Sequence, residues 1–208
     1  MTVNYQRALD KTLEELTRSG ITPRLLLHSC CAPCSTYVVE YLSSYFEITI
    51  LYYNPNIYPE SEFTKRVSEQ REFLSAIKTE HPVSLIVEAH RASAFYDVVS
   101  GMEDLPEGGA RCLKCYRLRL EETAKRAKEL GFPYFTTTLS ISPHKNAEAL
   151  NGIGEELAGL YGVQHLCADF KKKNGYIRSI ELSKAYGLYR QDYCGCVYSM
   201  NSRREPSL

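Results

Sequence analysis

The chain has 208 residues, eight cysteines, no tryptophan, and 25 basic against 25 acidic side chains. That length suits one α/β domain with a sizeable core; zero net charge excludes a globally basic nucleic-acid binder but not a local basic patch. No run nears the ~20 apolar residues that span a bilayer, and polar Met1–Gly20 lacks a signal-peptide core. A cytoplasmic location is therefore expected, where clustered thiols serve as metal ligands or redox groups.

Leu9, Leu13 and Leu16 recur at helical spacing over residues 3–19, and Gly20 ends that helix. Arg24–His28 reads as a short strand running into Ser29-Cys30-Cys31-Ala32-Pro33-Cys34. A helix is expected over Ser35–Tyr45 and a strand over Glu47–Tyr53, broken by Asn54-Pro55-Asn56. Ser61–Lys78 is an amphipathic helix, Val83–Glu88 a strand and Phe95–Met102 a short helix. Gly108-Gly109 marks a loop before Arg111-Cys112-Leu113-Lys114-Cys115, which opens a helix through Leu130. Tyr134–Leu139 is the next strand. Ser142-Pro143 predicts a helix start, with Ser as N-cap and Pro at the first helical position, running to about Tyr161. His165–Ala168 is the last strand, followed by a helix near Ser179–Tyr186 and a tail in which Asn201–Leu208 is expected to fray.

Such alternation predicts an α/β fold: a Rossmann-like, doubly wound, mainly parallel five-stranded sheet flanked by helices. Ligands then bind beyond the carboxyl ends of the strands, where Cys30–Cys34 lies. Residues 1–208 read as a single domain, without internal repeats.

Seven cysteines fall into the groups Cys30/Cys31/Cys34, Cys112/Cys115 and Cys194/Cys196. Cys112-x-x-Cys115 suits zinc, an iron–sulfur cluster or a dithiol pair. Adjacent Cys30 and Cys31 reach one centre only in a loop. A disulfide across Cys194-Gly195-Cys196 would close a small strained ring, which favours a labile redox pair; two further metal ligands, or ordinary thiols on a mobile tail, are the other readings. A zinc site built from Cys30, Cys34, Cys112 and Cys115 would leave Cys31 and the tail pair without a role, so iron–sulfur chemistry is preferred. Cys167 reads as a core residue.

Five motifs in order, His28-Ser29-Cys30-Cys31-Ala32-Pro33-Cys34, Tyr53-Asn54-Pro55-Asn56-Ile57, Arg111-Cys112-x-x-Cys115-Tyr116-x-x-Arg119-Leu120, Ser142-Pro143-His144-Lys145 and Asp192-Tyr193-Cys194-Gly195-Cys196, resemble the QueH type of epoxyqueuosine reductase. The resemblance covers about residues 24–199 and leaves the N-terminal helix outside. It implies cobalamin-independent, two-electron reduction of epoxyqueuosine in tRNA to queuosine, the last step of queuosine biosynthesis, with electrons from an unidentified donor. It also implies a [4Fe–4S] cluster on Cys30, Cys31, Cys112 and Cys115, and a redox pair at Cys194 and Cys196. Relatives carry Cys or Asp at position 34, which makes Cys34 a candidate ligand of an additional mononuclear iron, shared with Cys194, Cys196 or Asp192.

With tRNA as substrate, Arg111, Lys114, Arg117 and Arg119 are candidates for phosphate contact, or for a solvated helix face balanced by Glu121 and Glu122. His144 and Lys145 fall in the first turn of the predicted helix, whose free N–H groups favour anions. Asp169 is a candidate acid, beside an exposed Lys171–Lys173 turn. Tyr52, Tyr53, Tyr58 and Tyr116 could stack on an everted base or simply pack. His28 reads as a satisfied strand-end histidine. Two rivals remain: a PP-loop tRNA sulfur-transferase, disfavoured because no glycine-rich phosphate loop follows the first strand, and a zinc-stabilised RNA-binding protein.

Overall fold

The computed structural model describes residues 3–204. Its strands are β1 (Arg24–His28), β2 (Glu47–Tyr52), β3 (Val83–Val87), β4 (Tyr134–Thr137) and β5 (Gln164–His165). They form one sheet in the order β3-β2-β1-β4-β5, with every neighbouring pair parallel. The order reverses beside β1, so the crevice between the carboxyl ends of β1 and β4 is the switch point at which such sheets bind ligands.

The helices are α1 (Tyr5–Ser19), α2 (Ala32–Leu42), α3 (Glu60–Ala76), α4 (Ala92–Val99), α5 (Ala110–Glu129), α6 (Ala147–Tyr161), α7 (Gly175–Ala185) and α8 (Val197–Arg204). Strand alternation sends Leu25 and Leu27 to one face of the sheet and Leu26 to the other. The first face packs on Leu9 and Leu13 of α1 and Val38, Val39 and Leu42 of α2. Leu26 and Phe135 pack on Leu120 and Ala124 of α5 and Leu150 and Leu157 of α6. Each of these leucines is fully buried or nearly so, worth about 1.5–3 kcal/mol of transfer free energy apiece. Both faces being covered explains why β1 is apolar throughout Leu25–Leu27 rather than alternating.

Several element boundaries differ from the sequence expectation. Helix α2 begins at Ala32, not Ser35, with Cys31 extended at the N-cap and Pro33 in the first turn, where a missing N–H costs nothing. Strand β4 tightens into a 3₁₀ turn at Thr138–Ile141. Helix α6 begins at Ala147 instead of Ser142, because the Asn146 side chain, not Ser142, accepts the Ala149 N–H at 3.0 Å. Ser142 caps only a turn, accepting from His144 N. The expected fraying from Asn201 is corrected in part: Asn201–Arg204 continue α8, and 205–208 lie outside the described residues. No helix among the described residues is long and apolar enough to cross a membrane.

Candidate metal and redox centre

The loop after β1 sits at the switch point and is fixed from several sides. Asn54 Nδ2 donates to the Ser29 carbonyl at 2.8 Å, and Tyr52 Oη donates to that of Cys30 at 3.2 Å. Ser29 Oγ donates to Gln70 Oε1 at 2.9 Å, and Gln70 Nε2 donates to Ser35 Oγ at 3.0 Å. His28 is fully buried between Thr137 Oγ1 at 2.9 Å and the Tyr53 carbonyl at 3.2 Å. The carbonyl can only accept, so His28 Nε2 carries the proton and Nδ1 accepts from Thr137. Burial, then Arg119, push the His28 pKa down to about 3, so the imidazole is neutral. His28 is a strand-end brace.

That frame brings three sulfurs together. Cys31 Sγ lies 2.6 Å from Cys34 Sγ and 3.8 Å from Cys30 Sγ, and the three are all within 4.8 Å of one another. Cys30 is held below the usual thiol range by its hydrogen bonds to Cys31 and Cys34, with burial opposing. Burial, then the bond to Cys30, pushes Cys31 up; bonds to Cys30 and Cys31, then burial, push Cys34 up. Ionisation of one sulfur thus opposes ionisation of the other two, and a bound cation would ease it for all three.

Cys112 and Cys115 face inward from the first turns of α5 and are 9% and 7% exposed. Gly108 N donates to Cys112 Sγ at 3.2 Å. These two thiols line a small cavity together with Cys194, Cys196, Asn56 and Arg119. Burial pushes the Cys115 pKa up to about 12. Cys194 and Cys196 are separate thiols on the segment before α8. Tyr58 N donates to the Gly195 carbonyl at 2.8 Å, and Tyr193 Oη donates to the Tyr58 carbonyl at 2.8 Å. Gly195 has φ +119, and a Cβ there would stand 3.2 Å from Arg66 Nη1 and 3.3 Å from Ile57 Cγ1.

A larger cavity, of about 360 Å³, opens beside the first group and is lined by Cys30, Cys31, Cys34, Cys194, Asp192 and Lys145 among others. Arg119 and Cys194 border both cavities, so the cysteine groups share a wall. Cys30 and Cys112 belong to one apolar cluster, but Cys30, Cys31 and Cys34 converge among themselves rather than on Cys112 and Cys115.

The cations expected to meet phosphate separate sharply. Arg111 is buried, its Nη1 donating to the Met102 and Glu103 carbonyls at 3.0 and 2.6 Å. Arg119 is 1% exposed, with Nε on the Cys115 carbonyl and Nη1 on Asn54 Oδ1. Arg117 pairs with Glu156 on the outer face. Lys145 is buried, not in a helix turn, and its Nζ donates to Cys194 Sγ at 2.9 Å while pairing with Glu107 at 3.6 Å. Ser199 Oγ extends this bridge, donating to Glu107 Oε2 at 2.9 Å and accepting from Cys194 N at 3.1 Å. His144 alone of the six candidates is an exposed residue on the larger cavity, where Arg190 and Arg203 join it; Lys114 is exposed but lines neither cavity.

Asp192 also lines that cavity, whereas Asp169 accepts from Lys171 Nζ at 2.6 Å and lines neither. Cys167 is half-buried instead of core: Leu166 and Ala168 turn inward, and its sulfur lies 3.5 Å from Glu155 Oε1. Tyr52 and Tyr116 are buried packing residues; Tyr58 is exposed.

The donor set fits a sulfur-bound metal centre. Arg119 has no acidic partner among the described residues and its Nη2 is buried without a hydrogen bond, whereas Arg66 pairs with Glu62 at 2.7 Å and leaves only Nη2 unpartnered. A buried cation such as Arg119 calls for nearby negative charge, which thiolates holding a metal supply.

A family profile described as "Epoxyqueuosine reductase QueH" matches residues 25–202. The chain belongs to the QueH family of epoxyqueuosine reductases. It is therefore an oxidoreductase. It is 41% identical over 199 residues to the epoxyqueuosine reductase QueH of Streptococcus pyogenes serotype M1, covering 95% of this chain and 78% of that one. The corresponding figures for the Staphylococcus epidermidis protein of the same name are 42% over 201 residues, 95% and 84%. For that of Thermotoga maritima they are 36% over 187 residues, 87% and 92%. A 95% share reaches into α1, further than the family profile does.

Sequence reasoning missed Arg66, Glu107, Arg190, Ser199 and Arg203. Arg66 lies on α3 at helical spacing from Phe63 and Gln70, on that helix's buried side, the one signal that could have placed it.

Proposed function

We infer that this protein reduces the epoxide of epoxyqueuosine, carried in tRNA, to the alkene of queuosine. The observation that carries this reading is the meeting of three cysteine groups around two cavities sharing Arg119 and Cys194, in a chain of this family. The reaction consumes two electrons and two protons and releases water.

Cys30, Cys31, Cys112 and Cys115 are the proposed ligands of a [4Fe–4S] cluster, and Cys34 with Asp192 those of an additional mononuclear iron. When bound, these groups supply single electrons and a Lewis acid for the departing oxygen. Cys194 and Cys196 form the redox pair: oxidation of two thiols to a disulfide releases two electrons and two protons, the number the epoxide requires. Lys145 favours this role for Cys194 over iron ligation, because an ammonium 2.9 Å from the sulfur competes with a metal cation there. Burial pulls the Lys145 pKa down, but Cys194 and Tyr116 more than offset it, so the ammonium persists. It is a fixed positive charge at the cavity wall, placed to steady negative charge on the Cys194 sulfur and on the departing oxygen.

The larger cavity has room for a nucleobase, with Tyr176 and Tyr193 as aromatic walls. Arg190 and Arg203 are the exposed cations at its border and, with His144 beside them, hold the flanking phosphates in this reading. An external donor restores the dithiol, and the reaction belongs to the cytoplasm, where tRNA resides.

Anaerobic purification followed by metal and sulfide analysis tests the proposed centre. About five irons and about four acid-labile sulfides per chain, with a brown colour, are expected. A colourless protein holding stoichiometric zinc would return the zinc-stabilised RNA-binding reading.

A further inference from the structure

The Asn54-Pro55-Asn56 segment carries two asparagines with unlike surroundings. Asn54 is fully engaged, donating to the Ser29 carbonyl and accepting from Arg119. Asn56 is 2% exposed, yet neither Oδ1 nor Nδ2 has a partner among the described residues. Burying an unmatched amide costs about 1–3 kcal/mol, and nothing in the local backbone demands asparagine: its neighbour Ile57 fills an adjoining apolar cluster. The side chain instead lines the small cavity with Cys112, Cys115, Cys194 and Cys196, beside Arg119, whose Nη2 is also unmatched. An amide with two free N–H donors therefore lines a pocket of sulfurs.

We propose that Asn56 donates a hydrogen bond to the sulfur of the metal centre held by Cys112 and Cys115, and thereby raises its reduction potential. The inference rests on the proposed function, because it presumes that centre. Its physical basis is charge: reduction adds an electron to an already anionic cluster, and a donor aimed at its sulfurs stabilises the more negative state most. Arg119 acts in the same sense from the other side, but it also braces Asn54 and the Cys115 carbonyl, so its removal disturbs the loop frame. Asn56 has no such second duty and isolates the effect.

The test is the midpoint potential of the iron-loaded protein, measured by spectroelectrochemistry with iron and sulfide content as the control. Asn56→Leu keeps the shape and removes both donors; its cluster should be about tenfold harder to reduce, about 59 mV for one electron. Asn56→Asp, which presents only acceptors, should fall at least as far. Asn56→Ser keeps one donor and should lie between Leu and wild type, and it carries the comparison if the Leu chain loads poorly. Equal potentials in all four iron-loaded proteins overturn the inference, as does a shift confined to the Cys194/Cys196 dithiol couple. Wild-type protein that takes up no iron overturns the proposed centre itself; an iron-loaded wild type indifferent to Asn56 leaves that centre standing.

Discussion

Lys145 Nζ and Cys194 Sγ meet at 2.9 Å, tying the turn that precedes α6 to the segment that precedes α8 across the wall of the larger cavity. The same ammonium reaches Glu107, which Ser199 holds from the other side. A lysine in this position both orients the sulfur and holds a positive charge beside it. Lys145→Met is expected to slow single-turnover reduction about 100-fold, within the usual range for loss of a group that stabilises developing negative charge, with iron content unchanged. Lys145→Arg should recover part of the loss. A Met variant at wild-type rate would remove the lysine from the chemistry.

The rim cations give a prediction about tRNA affinity. Arg190→Ala and Arg203→Ala should each weaken binding regardless of the nucleotide in the cavity, and each should lower the slope of log K against log salt by about 1. Arg117→Ala, whose partner is Glu156 on the outer face, should leave that slope unchanged. Filter binding across a salt series measures both; an unaffected slope in the rim variants would move the tRNA elsewhere.

Much of this architecture was legible in the sequence because periodicity reports burial. The apolar run Leu25–Leu27 announced a central parallel strand, and cysteine spacing announced the three groups. Charge was the misleading signal. Arg111, Arg119 and Lys145 look like solvent-facing cations, yet each is buried against carbonyls, an amide or a sulfur that only tertiary contact supplies. Ser142-Pro143 is a sound helix start in isolation, but it lost to Asn146, whose side chain reaches Ala149 N. The partners Glu107 and Ser199 lie 92 residues apart, a separation no local pattern encodes.

The turn that carries Cys194 and Cys196, the proposed redox pair, should be intolerant of a side chain. Gly195 has φ +119, and its Cβ would press on Arg66 and Ile57. Gly195→Ala is expected to cost about 1–3 kcal/mol, read as a lowered melting temperature, and to slow turnover further by displacing Cys194 and Cys196. Wild-type stability in this variant would show that the segment moves freely.

His165 provides a pH signature away from the centre. Its ring lies against Gly154 of α6, and burial lowers its pKa from 6.5 to about 4. Between those values the unfolded chain binds a proton that the folded chain refuses, so stability falls as pH drops through the window. The slope for this group approaches about 1.4 kcal/mol per pH unit at most, and the contribution is complete above pH 6.5. Denaturant titrations of wild type and His165→Gln should diverge across this window and run parallel above it; parallel curves throughout would contradict the burial.

The most direct test of the account is nucleoside mass spectrometry after anaerobic incubation of iron-reconstituted protein with epoxyqueuosine-containing tRNA and a chemical reductant. Conversion to queuosine is predicted for the wild type and for Cys167→Ala, and loss of conversion for Cys30→Ala and Cys112→Ala. Iron-replete wild type that leaves the epoxide intact, or a Cys112→Ala variant that converts it at the wild-type rate, would contradict the account.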